Sequence, residues 1–134
     1  GKLRGLVTPA IELAERSLRR WLQNVQGVWQ DGMVAKRGRL WVPSDGTDCC
    51  LEIRGRNLDL NGQRVELSAA DGKASTGSLA GDESFVLKLP VPAGHIPVRG
   101  ELHCTKTLEV GPLDPRLGPR RAGCVLDDVR LVKS

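Results

Sequence analysis

From Val28 onward apolar and polar residues alternate one by one, and turn-forming residues recur about every eight to twelve positions. A period of two sends successive side chains to opposite faces of a strand, so the pattern predicts half-buried β-strands with one face on a core. The strands predicted are Val28–Val34, Arg39–Val42, Cys49–Arg54, Arg64–Ala69, Ala74–Leu79, Ser84–Leu89, Val98–Thr105 and Gly123–Val132. Alternation puts Leu51, Ile53, Val65, Leu67, Phe85, Leu87, Leu89, Leu102, Cys104, Val129 and Leu131 inside, with Glu52, Glu66, Lys88 and Arg130 between them. Turns are expected at Pro43–Asp48, Asn57–Gln63, Asp71-Gly72, Gly81-Asp82 and Pro90–Pro97, where Gly, Asn and Asp supply positive φ. Lys106–Arg121 lacks a strand pattern and reads as a surface loop.

Upstream the period is 3.6, predicting a helix over Thr8–Gln26. Thr8 has N-cap chemistry, Pro9 suits the first helical position and Gly27 a C-terminal stop. Ile11, Ala14, Leu18, Leu22 and Val25 form its apolar stripe, supported by Glu12/Arg16 and Glu15/Arg19 pairs. Such a stripe needs a partner surface: the sheet, a parent domain, or a second copy binding through Ile11, Leu18 and Leu22. The expected fold class is therefore all-β, an antiparallel, jelly-roll-like β-sandwich of about eight strands with one N-terminal amphipathic α-helix. Residues 1–27 read as a helix or linker from a larger parent protein and residues 28–134 as the sandwich domain.

A chain of 134 residues suits one core, and no apolar run approaches the ~18 residues of a membrane-spanning helix. The opening Gly1, without an initiating Met, reads as a piece of a longer protein. The location expected is cytoplasmic, or the inner face of the membrane where the parent protein brings it there. Net charge is +4, and the arginines fall on the helix and near strand ends, as solvated faces and guarded strand edges do. With no Tyr, one Phe and three Trp, the aromatic platforms that stack nucleic-acid bases are scarce, so a nucleic-acid-binding module ranks below the readings that follow.

Cys49, Cys50, Cys104 and Cys124 contain no CxxC spacing, so no metal is expected. Cys49 and Cys50 are strand neighbours and face opposite ways; Cys104 and Cys124 fit either a disulfide or the separate buried thiols that a reducing cytosol favours. His95 and His103 lack motif company. Asp127 and Asp128, adjacent on a strand, should diverge to opposite faces and so cannot flank a glycosidic bond. No GxSxG, GxxxxGK[ST] or GxGxxG occurs, so neither a catalytic residue nor a cofactor is expected. Trp29 and Trp41 could present flat faces to sugar rings, or pack with Trp21 where helix meets sheet. Asp114 and Arg116, in a Pro-bounded loop, read as an internal clasp or as ligand contacts.

The Asp31-Gly32-Met33 step, the Arg39–Pro43 and Ser84–Leu87 strands, and Asp114-x-Arg116-Leu117-Gly118 leading into Val125–Leu131 resemble the β-sandwich accessory domains attached to bacterial surface-polysaccharide glycosyltransferases. Those domains often carry Trp after the Asp-Gly pair, where this chain has Met33. The resemblance implies a non-catalytic accessory module of a larger glycosyltransferase-type protein that contacts carbohydrate weakly, through Trp29, Trp41, Asp114 and Arg116, or contacts the parent's catalytic domain. A protein-interaction or oligomerisation scaffold is the alternative.

Overall fold

A computed structural model of the chain describes residues 26–29, 31–111 and 120–133. The strands are β1 (Gln26–Val28), β2 (Met33–Val42), β3 (Cys49–Asn57), β4 (Val65–Ala69), β5 (Gly72–Ser75), β6 (Ser84–Val91), β7 (Val98–Cys104), β8 (Leu108–Glu109), β9 (Arg121–Ala122) and β10 (Cys124–Lys133). Seven of them form one antiparallel sheet in the order β5-β4-β7-β2-β10-β3-β6, with β1 added beside β2. The sheet curls on itself until its two ends meet: Leu89 of β6 packs on Gly72 of β5, whose added Cβ would lie 3.0 Å from Leu89 Cδ1. The all-β, antiparallel expectation holds, and the described strands enclose their core within one nearly closed sheet, with β8 and β9 pairing separately.

Alternation decides what is inside. Ser84–Val91 is exposed and buried at every second residue, and Leu40, Leu51, Ile53, Val65, Leu67, Leu102, Cys104 and Val129 have essentially no exposed surface. Of the predicted inward set only Leu131 is partly exposed, and it too packs against the core.

The predicted Arg39–Val42, Cys49–Arg54 and Ser84–Leu89 strands are longer, running from Met33, to Asn57 and to Val91 respectively, and three further boundaries differ from expectation. The predicted Val28–Val34 strand is two strands separated by a turn, in which Gly32 N–H donates to Trp29 O (2.9 Å) and Asp31 Oδ1 accepts from Met33 N–H (3.2 Å). Gly32 has φ +91°, and an added Cβ would meet Leu126 O at 2.5 Å, so the Asp-Gly pair is a reversal jammed against β10. Second, β5 ends at Ser75 rather than running to Leu79: the Thr76 hydroxyl caps Val65 N–H (2.9 Å), and Leu79 forms a lone bridge to Gln63. Third, the Lys106–Arg121 segment contributes the short β8–β9 hairpin.

The helix expected over Thr8–Gln26, with Ile11, Leu18 and Leu22, lies outside the described residues except at its C-terminal end. There Gln26 pairs with Arg39 in β1, and Gly27 is a bulge rather than a helix stop. Its φ of +74° lets its Cα approach Arg37 O so closely that a Cβ would stand 2.0 Å away. Among the described residues no helix is long and apolar enough to cross a membrane.

Candidate functional site at Trp41

β4, β7 and β2 lie side by side, and pairing aligns their outward residues in rows. Glu66, His103 and Arg37 share one row, Ser68, Glu101 and Arg39 the next, and Arg99 and Trp41 the last. The rows form a polar outer face over the apolar interior. At the Trp41 end a cleft of about 510 Å³ opens, lined by Trp41, Ser68, Arg99, Glu101 and, from the β6–β7 loop, His95 and Ile96.

The loop wall of this cleft is held in place. Gly94 N–H donates to Gly46 O (2.8 Å) and Ala93 N–H to Asp48 Oδ1 (2.7 Å), tying the β6–β7 loop to the β2–β3 loop. The second loop is itself locked, because Asp45 Oδ1 accepts from both the Thr47 hydroxyl (2.6 Å) and Thr47 N–H (3.0 Å). Those bonds, the side-chain one foremost, hold the Asp45 carboxyl below the usual carboxylate range. The cleft therefore carries Ile96, two-thirds exposed, on a braced wall.

Trp41 is half-buried, and the Arg99 guanidinium carbon lies 5.8 Å from its ring centroid, within reach of a cation–π contact. In the adjoining row the Glu101 carboxylate lies between Arg39 Nε and Arg37 NH1, 3.9 Å from each. Beyond it Glu66 takes Lys73 Nζ at 3.2 Å and His103 Nδ1 at 3.8 Å. The arrangement offers an aromatic surface, guanidinium forks, a hydroxyl and a carboxylate on one open face. Among the described residues no three His, Cys, Asp or Glu side chains form a group that could hold a metal.

Trp29 belongs elsewhere. Trp29 sits at Met33, and Trp41 lies eight steps further along β2, roughly 26 Å of extended chain, so the two indoles cannot form one platform. Arg120 covers Trp29 at 5.0 Å, bonds Asp31 Oδ2 at 2.8 Å and touches the Met33 sulfur. This clasp closes the β1–β2 turn, and sequence reasoning missed Arg120 because its partners lie 89 residues away. Asp114 and Arg116 lie outside the described residues.

Asp127 and Asp128 depart from expectation. A bulge between Leu126 and Asp128 inserts an extra residue into β10, so both carboxylates emerge on the outer surface. Asp127 there faces Arg56 (3.9 Å) and Asp128 faces Arg130 (3.0 Å). The cysteines follow the alternation. Cys49 is buried and its neighbour Cys50 is not, while Cys104 and Cys124 are free thiols with sulfurs 3.5 Å apart in the core.

No family model, no curated protein and no solved structure matches this chain.

Proposed function

We propose that this is a non-catalytic accessory module that contacts carbohydrate at the Trp41 cleft, within a larger cytoplasmic protein of the surface-polysaccharide glycosyltransferase type. On this reading the curled sheet is a jelly-roll-like sandwich serving as a rigid support. The observation that carries the proposal is Trp41 itself, half-buried in an open cleft beside Arg99, Ser68 and Glu101. An indole offers an apolar face to sugar C–H groups, while hydroxyl, carboxylate and guanidinium groups around it bond sugar hydroxyls. The resemblance of Arg39–Pro43 and Ser84–Leu87 to transferase-attached sandwiches points the same way.

An open cleft buries little of its ligand, so binding near the millimolar end, about −4 kcal/mol, is expected. The test is a titration with neutral and acidic oligosaccharides while the indole N–H resonances of Trp41 and Trp29 are followed by NMR. The Trp41 resonance shifts, that of Trp29 stays in place, and Trp41→Ala, still folded, shows no sugar-induced shift at the backbone amides of Ile96 and Arg99. A Trp41 resonance unmoved by every sugar at ~10 mM, an order of magnitude above that Kd, refutes the proposal.

A further inference from the structure

We infer that the Trp41 cleft selects sugar acids, with the carboxylate of a uronic acid residue docking on Arg99; this rests on the carbohydrate reading above. The outer face formed by β4, β5, β7 and β2 carries Arg37, Arg39, Arg99 and Lys73 against Glu66 and Glu101, four cations to two carboxylates. Both carboxylates are already shared. Glu101 is divided between Arg37 and Arg39 at 3.9 Å each, and Glu66 lies between Lys73 and His103. Among the described residues none is within ion-pair distance of Arg99, whose partner is the Trp41 ring at 5.8 Å.

That distance is near the outer limit of a cation–π contact, about 6 Å, so the ring positions the guanidinium without consuming its hydrogen bonds. A guanidinium donates in its own plane, and its fork matches two carboxylate oxygens. A uronate carries its carboxylate on the rim of the pyranose ring. Trp41 and Arg99 are partners across the β2–β7 pair, so a uronate seated against the indole can turn its carboxylate to the fork, with Ser68 and His95 lining the same cleft for its hydroxyls. A neutral hexose makes the same aromatic contact but leaves the fork unpaired. Arg39 lies one row away along β2, and its positive charge reinforces the preference.

The experiment compares a short oligogalacturonate with its fully methyl-esterified form, which keeps the sugar ring and removes the charge, and with a sulfated galactan oligomer of equal length. Binding is read from the Trp41 indole resonance. The acid is expected to bind at least tenfold more tightly than the ester, and raising the salt from ~0.05 to ~0.5 M should erase most of that difference. Arg99→Ala should weaken acid binding far more than ester binding, so that the at least tenfold gap between the two closes; Arg99→Lys, which keeps the charge and loses the fork, should leave part of the gap. Equal binding of acid and ester overturns the inference and leaves the carbohydrate reading standing. Equal binding of the sulfated oligomer overturns carboxylate selection in favour of a general oxyanion site. If no sugar moves Trp41, both fall together.

Discussion

Gln63 Nε2 donates to Asn57 Oδ1 across 2.8 Å in the interior of the curled sheet, and between them these two amides complete the hydrogen bonding of four loops. Asn57 Nδ2 reaches the carbonyls of Asp59, Leu79 and Ala80, and its Oδ1 also accepts from Asp59 N–H. Gln63 Nε2 also serves Gly123 O, and its Oε1 accepts from Lys106 N–H. Neither residue has more than 4% of its surface exposed, so water cannot replace a lost partner. Asn57→Ala is therefore expected to cost about 3–5 kcal/mol and Gln63→Ala about 2–4, with less than additive loss in the double variant, as for residues of one network. Urea denaturation of the three variants measures this; additive losses within ~0.3 kcal/mol would mean the amides act separately.

Glu52 gives the protein an acid-sensitive element. Its carboxylate accepts from Arg54 at 2.9 and 3.1 Å and has Arg130 at 3.8 Å. The hydrogen bonds from Arg54 are the chief cause of a pKa below the usual glutamate value, with Arg130 and Lys88 adding to them against the opposing effect of burial. A carboxyl depressed in the folded state stabilises above its unfolded pKa, about 4.3, and loses that contribution as pH falls toward the folded value. Both arginines are nearly half-exposed, so the contribution is about 1 kcal/mol. Glu52→Gln should lower stability by that amount near neutrality and flatten the loss between about pH 5 and 3, measured by urea midpoints across that range.

Gly27 distinguishes a strand bulge from a helix end. At a helix stop, alanine costs about 1 kcal/mol. In β1 it would combine a positive φ with a clash against Arg37 O, for roughly 3–5 kcal/mol. A melting-temperature drop matching the smaller figure would contradict the pairing of Gln26 with Arg39.

The strand interiors were legible in the chain because alternation is a local signal: Phe85, Leu87 and Leu89 are buried, with Val86 and Lys88 outside. Features set by pairing were not. The bulge that turns Asp127 outward depends on how β10 aligns with β3, and a one-residue insertion leaves no mark on composition. Gly27 at the end of an amphipathic stretch fits a helix stop as well as a bulge, since both use positive φ; only the proximity of Arg37 O decides. At the candidate site Trp41 was foreseen, but Arg99 was not. The register of β2 against β7 brings the two into one row, and that register is a long-range choice.

The thiols should separate by burial. Cys124 is pushed well above the ordinary thiol range by its hydrogen bond with Cys104 first and by burial second, and burial raises Cys49 too. In the native protein a thiol reagent near pH 8 should modify Cys50 alone, with the other three reacting only on unfolding. Cys50→Ser then removes the fast phase; a second thiol titrating rapidly in the native state would contradict the buried placement.

The position of β10 has a consequence for synthesis. Although it follows every other described strand along the chain, it lies in the middle of the sheet, between β2 and β3. Until Cys124–Lys133 has left the ribosome, the edge of β3 opposite β6 is unpaired from Cys49 to Asn57, because β10 is its partner there. Vectorial translation therefore cannot add this fold strand by strand. The nascent chain must be kept from pairing edge to edge with its neighbours along β3 until this ten-residue strand arrives to cover it.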